Sequence, residues 1–431
     1  MSVVSGALAQ HWGQGSTKGA FMLTIEEALA EVMKEARPLP PAERSLLDSR
    51  GCLLAENVAA DADQPPFDKS LVDGYAVRIS DLTSANRRLK IGETILAGQT
   101  PTRRLGPCEA AVIMTGAPLP PEADAAVMRE HTRFVHEDVV VDAPEVRAGQ
   151  NILRRGRICR QGELLLQSGN RLSPTSLGLL ASVGRTRVRV IPRPKLAILP
   201  TGDELVEPAQ VPGPGQIRNS NAVMLEALAI DHDAFPRVFP IAPDEPGELH
   251  RIVQECLVFD VLLVTGGVSA GQRDLVPAAL ERSGVRRVFH KVRMKPGKPL
   301  WFGIGPPRGE QPGTLVFGLP GNPASTLVGF LVFVAPALQV LAGRSGPVPA
   351  ELSARLDFEF LHRGDRASYR PARWVEPPDG TGSSVPGVIE ILDWAGSADL
   401  LGMARADGFV VLDAGDRVFQ AGEIVRFLPL R

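Results

Sequence analysis

The chain has 431 residues, 44% of them apolar and 22% charged, with a formal net charge of −2. That is an ordinary globular composition, and the length predicts more than one domain. It excludes a global cationic field for nucleic acid, and 5% aromatic residues leave little for base-stacking platforms.

Residues 1–21 are small, polar and rich in Gly, Ser and Gln. They lack the basic and apolar regions of a signal peptide and read as a disordered tail. Thr24 and Glu27 then form a capping box before an amphipathic helix over residues 23–36. Between residues 60 and 150, apolar runs such as AAVIM and EDVVVDA alternate with Pro/Gly turns, which predicts a β-rich module. The stretch SPTSLGLLASVG reads as a helix with a Ser or Thr cap, closed by Gly184. From about residue 194 to 343, strands at KLAIL, FDVLLV and TLVFGLP alternate with helices at NAVMLEALAI and DLVPAALERSG. Such alternation predicts a doubly wound, mostly parallel sheet with helices on both faces.

Residues 324–343 carry no charge over 20 positions, long enough to span a bilayer. They follow a strand and a loop and have no basic flank, so they read as a buried core helix. After residue 345 short strands and turns return, as in a small β-barrel or sandwich. The four cysteines, Cys52, Cys108, Cys159 and Cys256, show no metal-ligand spacing and predict reduced thiols in a cytoplasmic protein.

Three loops follow strands of the α/β segment, at the edge where such sheets bind ligands. They are PTGDEL with Thr201 to Glu204, TGGVSAG with Thr265, Gly266, Gly267 and Ser269, and GLPGNPAS with Pro320, Gly321, Asn322 and Pro323. Glycine admits close backbone approach to an anion, and helix N-termini offer free N–H donors, so the loops suit phosphate. Residues 286–299, RRVFHKVRMKPGKP, carry six cations and no acid. In a strand, Lys291, Arg293 and Lys295 would share one face, with Lys298 in the stiff turn behind them, as an oxyanion clamp; a solvated edge strand is the plainer alternative. Asp68, Asp73, Asp203, Glu204, Asp244 and Asp274 lie next to turns. Turn duty explains most of them; Asp274, near the glycine loop, is the best placed for Mg²⁺.

Taken together and in order, PPFDKSLVDGYAVR, IMTGAPLP, GQNILRRG, PTGDEL, GQIRNSN, TGGVSAGQRD, KPGKP, GLPGNPAS and ARADGFVVL resemble the molybdopterin molybdenumtransferase family, to which the C-terminal domain of gephyrin belongs. The resemblance covers about residues 22–430. It implies a split domain I over residues 22–59 and 151–193, a β-rich domain II over 60–150, an α/β domain III over 194–345 and a β-barrel domain IV over 346–431. It also implies insertion of molybdenum from molybdate into adenylylated molybdopterin with loss of AMP, Mg²⁺ as the metal, and a homodimer with shared sites. A molybdopterin adenylyltransferase is the implied partner. Asp73 and Thr115 would come from domain II of one subunit. Glu204, Asp244, Ser269, Asp274, Lys291, Lys295, Pro320 and Pro323 would come from domain III of the other, with Asp244 and Asp274 at the metal. Three places depart from the family pattern: Arg157 and Ile158 replace an acidic pair, Pro371 replaces an arginine between Arg370 and Arg373, and Leu401 and Gly402 replace two serines. They leave the fold untouched and bear on molybdate handling. Two alternatives stay open, a paralogue handling tungstate and a non-catalytic scaffold or carrier that binds the cofactor.

Overall fold

The computed structural model describes residues 22–83, 87–268, 275–309, 312–345, 351–378 and 386–430. The expected tail at residues 1–21, and the site candidates Ser269 and Asp274, lie outside the described residues. The chain divides into two compact units, residues 41–190 and residues 1–40 with 191–431.

In the first unit, strands that precede and follow the β-rich segment pair with each other. Ala42–Ser45 and Leu53–Leu54 flank Arg187–Ile191 in a three-stranded sheet. The helix Pro174–Ser182 covers it, capped by Ser173 and followed by Gly184 at φ +73. Leu54, Val58, Leu177, Leu180 and Val188 fill this core. The β-rich segment forms a six-stranded sheet with apolar clusters on two sides, one around Val77, Leu89 and Val127, the other around Ala76, Ile95 and Ile113. Alternate residues of Gly74–Val77 feed opposite clusters, as the two-residue period of a strand requires.

The second unit holds a six-stranded sheet. Its strand order is Phe235–Val238, Lys195–Pro200, Val261–Thr265, Leu315–Leu319, Trp301–Ile304, Arg286–His290. The first four are parallel and the last two antiparallel. Leu196, Ile198, Leu263 and Phe317 join one core with the helices Ser220–Asp231 and Pro323–Leu341; Ala197, Leu199, Leu262, Val264 and Val316 join another with Pro246–Cys256 and Leu275–Arg282. Both sheet faces are buried, which explains why these strands read as unbroken apolar runs. Pro323–Leu341 is the one helix among the described residues long and apolar enough to cross a membrane, and 89% of its apolar window is buried within the structure.

The first helix, Ile25–Glu35, has its capping box: Glu27 N–H donates to Thr24 Oγ1 and Thr24 N–H to Glu27 Oε2. Its buried residues Ala28 and Val32 join the core of the second unit, and Leu39 N–H donates to Leu341 O at 2.8 Å. Residues 1–40 thus fall in the same compact unit as the α/β sheet, with the apolar stripe of this helix against the long buried helix. At the C-terminal end Ala367–Glu376, Gly387–Ile391, Leu352–Leu356, Ile424–Pro429 and Gly408–Leu412 pair in turn, and the last pairs back with the first. This closes a five-stranded barrel, which leaves no free edge among its members.

Candidate functional site

Pro200 is in register with Thr265, and Thr265 with Leu319. The three neighbouring strands therefore end at one level, and their loops surround a cavity of about 600 Å³. Thr201, Glu204, Thr265, Gly266, Gly267, Pro320, Asn322 and Pro323 all line it.

The glycine loop is shaped by its neighbour. Gly266 has φ +96 and Gly267 φ +60, a region costly for residues with a Cβ. A Cβ on Gly266 would stand 2.3 Å from Thr201 O, and one on Gly267 would meet Val276 Cγ2 at 2.8 Å. Both face protein, so these glycines are required by the loop's own packing as well as by any anion. Gly202 has φ +137, and the Glu204 carboxylate lies within 2.8 Å of where its Cβ would be. Thr201 N–H donates to Thr265 O at 2.9 Å, tying the first loop to the second. Asp244 N–H donates to Asp203 Oδ1 at 3.0 Å, and both residues are exposed outside the cavity wall.

The third loop corrects the expectation of free helix N–H donors. Ala324 N–H donates to Ser397 O at 3.0 Å, and Asn322 Nδ2 donates to Ser397 Oγ at 3.0 Å. A segment 75 residues away thus takes the first turn of the helix, while Ala398 and Leu400 close the cavity beside it.

The cationic stretch is not one strand. The edge strand stops at His290, Lys291 takes φ +76, Val292 bridges to Leu23, and a strand forms again at Met294–Lys295, against the barrel strand Ala367–Glu376. Burial still alternates: Val292 and Met294 are buried, Arg293 and Lys295 exposed. Arg293 turns toward the barrel and donates to Asp365 O at 3.2 Å. Lys291, Lys295 and Lys298 do not line the cavity, although Pro299 does. His290 Nε2 sits 3.1 Å from Val268 O, a structural role under the glycine loop.

In the other unit, Asp73 and Thr115 are joined as a pair. Thr115 N–H and Oγ1 both contact Asp73 Oδ1, at 2.7 and 2.8 Å. The Thr115 backbone donor, then its hydroxyl, hold the Asp73 carboxyl below its usual range. Asp68 accepts from Arg155 N–H at 2.7 Å and from the Arg154 guanidinium, so it holds the NILRRG turn. Arg157 and Ile158, just beyond that turn, are exposed; Pro371 is buried in its barrel strand; and Gly402 N–H donates to Asp399 Oδ1, a helix cap.

Sequence reasoning assigned no role to Asn219 and Asn221 of GQIRNSN, which also line the cavity. Asn219 caps the helix Ser220–Asp231 through Ala222 N–H at 3.2 Å. The signal available was an Asn-Ser-Asn start before an apolar helix.

Among the described residues, no group of three or more His, Cys, Asp or Glu is placed to hold a metal by itself. Mg²⁺ needs only one or two carboxylates when substrate phosphates complete its shell; of the two residues expected at the metal, Asp244 is the described one, an exposed carboxylate beside Asp203.

Comparison with known proteins agrees along the chain. Residues 23–184 match the MoeA N-terminal region (domain I and II), residues 197–340 a probable molybdopterin binding domain, and residues 353–430 the MoeA C-terminal region (domain IV). The chain is 33% identical over 417 residues to a molybdopterin molybdenumtransferase of Bacillus subtilis, covering 95% of this chain and 94% of that protein. It is 31% identical over 382 residues to one of Synechocystis, covering 88% and 92%. The crystal structure of a molybdopterin biosynthesis moeA protein from Pyrococcus horikoshii superposes with a TM-score of 0.73 at 29% identity, covering 95% of this chain and 100% of that one. With three strand-end loops gathered on one cavity and likeness along nearly its whole length, the chain belongs to the molybdopterin molybdenumtransferase family, enzymes of molybdenum cofactor biosynthesis.

Proposed function

We propose that this chain inserts molybdenum from molybdate into adenylylated molybdopterin and releases AMP, as a cytoplasmic enzyme. The observation that carries the reading is the common level of Pro200, Thr265 and Leu319, which gathers three loops on one cavity. Backbone groups beside Gly266 and Gly267 would orient the substrate phosphates without a side chain in the way. Lys291, Lys295 and Lys298 would supply positive charge for the oxyanion, with Asn322, Pro320 and Pro323 shaping the far wall.

Asp244, together with Asp274, would hold Mg²⁺. When bound, the ion would neutralise charge on the phosphates of the departing adenylate. Asp73, kept ionised by Thr115, enters the same reaction in this reading through a homodimer, each site drawing Asp73 from the other protomer. The resemblance of residues 22–430 supports that arrangement. The substrate's chemistry requires a molybdopterin adenylyltransferase upstream, the natural partner for hand-over.

The test is AMP release from adenylylated molybdopterin with molybdate and Mg²⁺. Folded protein that releases no AMP overturns the reading, and release with tungstate alone moves it to that oxyanion. Asp73→Ala and Asp274→Ala should each be inactive. After complete subunit exchange, verified by tagged co-purification, about a quarter of the sites should recover by twofold symmetry. No recovery after exchange removes the shared site.

A further inference from the structure

An anionic substrate needs positive charge, and the cations expected to meet it stand outside the cavity. Lys291, Lys295 and Lys298 do not line it, and Arg293 donates to Asp365 O. Among the described residues that line it, two are charged, Glu204 and Arg218. Arg218 belongs to a short ribbon in which Leu205–Val206 pairs with Ile217–Arg218, Val206 in register with Arg218. It is exposed, so a ligand can reach it. Its side chain is also held. Nε–H donates to Pro208 O at 3.0 Å and to Gln210 O at 3.1 Å, both in the loop that joins the two strands. Neither acceptor lines the cavity, so the guanidinium is fastened from the loop side, at the rim. Fastening the loop takes one N–H donor at the Nε position and no charge. A guanidinium has five N–H donors in one plane, and four of them are on Nη1 and Nη2. A fork pinned at Nε matches two phosphate oxygens at once, which the point charge of a lysine does not.

We propose that Arg218 binds a phosphate group of the substrate through Nη1 and Nη2, as a cationic binding residue of this cavity. The inference rests on the function proposed above, whose substrate joins the phosphate of an adenylate to that of a pterin. Arg218 then has two tasks on one side chain. Nε sets the loop over residues 207–216, and the outer nitrogens meet the anion. The guanidinium stays charged at any working pH, so this contact does not depend on a titrating group.

The test is calorimetric titration of the full-length protein with inorganic pyrophosphate and with AMP, beside thermal unfolding. Two substitutions separate the tasks. Arg218→Gln places an amide N–H as far along the side chain as Nε, so it keeps the anchor and removes Nη1, Nη2 and the charge. Arg218→Lys keeps a charge and loses both the fork and the donor at Nε. Arg218→Gln should melt with the wild type and bind pyrophosphate about tenfold more weakly at low salt, a gap that narrows as salt is added. Arg218→Lys should fall between the two. A parallel loss with AMP assigns the contact to the adenylate phosphate, and a loss confined to pyrophosphate assigns it to the phosphate on the pterin side. Unchanged pyrophosphate binding in Arg218→Gln leaves only the anchor and overturns the proposal. A loss that salt does not narrow marks a disturbed loop and overturns it as well. If Arg218→Gln does not fold, Arg218→Lys decides, and wild-type affinity in that variant overturns the proposal. Wild-type protein that binds neither probe overturns it too. Wild-type protein that binds both probes yet releases no AMP from adenylylated molybdopterin refutes the functional reading instead, and the result at Arg218 stands apart from it.

Discussion

Replacing one glycine with alanine at two places on the same cavity should give opposite results. At Gly266 the backbone has φ +96, and an added methyl would stand 2.3 Å from Thr201 O. The left-handed conformation costs an L-residue about 1–2 kcal/mol. The clash is with main chain, not with the end of a flexible side chain. Relief would disturb the link from Thr201 N–H to Thr265 O at 2.9 Å and that from Gly266 N–H to Leu319 O at 3.2 Å. Strain and lost pairing together come to about 3 kcal/mol. For a unit of this size that lowers the melting temperature by about 6–12 °C. At Gly321 the nearest atom to an added methyl is Gly266 Cα, at 3.9 Å, and the residue is exposed. Stability should move by less than about 0.5 kcal/mol, as for an ordinary surface change. That methyl would instead occupy ligand space, so AMP affinity should fall by about tenfold, or 1.4 kcal/mol. Thermal unfolding followed by AMP titration of both variants reads the two effects separately. A Gly266→Ala protein that melts with the wild type, or a Gly321→Ala protein that melts far below it, refutes the reasoning.

Two further outcomes follow from the titrating groups. Asp73 is held below its ordinary value of 3.8 by Thr115, so its tether to the 115 turn is fully present above that value and is lost as pH falls through the lower folded pKa. Thr115→Val removes the hydroxyl donor and keeps the backbone one. The Asp73 carboxyl pKa, followed by NMR, should rise part of the way toward 3.8, and a fall would contradict the assignment. Cys256 is fully buried, and burial, followed by the charge of Glu255, pushes its thiol up to about 12, whereas Cys108 is exposed. A thiol reagent at mildly alkaline pH should label Cys108 first and reach Cys256 only on unfolding; labelling of Cys256 in the native protein would disprove its burial.

Much of this arrangement was written locally in the chain. The Thr24–Glu27 capping box, the Ser173 cap, and the apolar runs KLAIL, FDVLLV and TLVFGLP each depend on a few adjacent residues, and each formed where it was read. Because neighbouring parallel strands end at one level, those runs also placed three loops on one edge. The details of the site depended on distant segments. The Asn221 amide meets Gly321 across 100 residues, and Ser397 reaches Asn322 across 75. No local pattern encodes either contact. Lys291 alternates in the sequence like a strand residue, yet it turns to φ +76 because the chain must leave the α/β sheet and pair with the barrel at Met294–Lys295. Likewise, the apolar stripe of Ile25–Glu35 specifies a buried face, while only the packed chain decides that the long core helix covers it. Periodicity and capping are short-range effects, so sequence specifies them; partners between distant segments are selected only when whole elements compete to bury their apolar faces and satisfy their polar atoms.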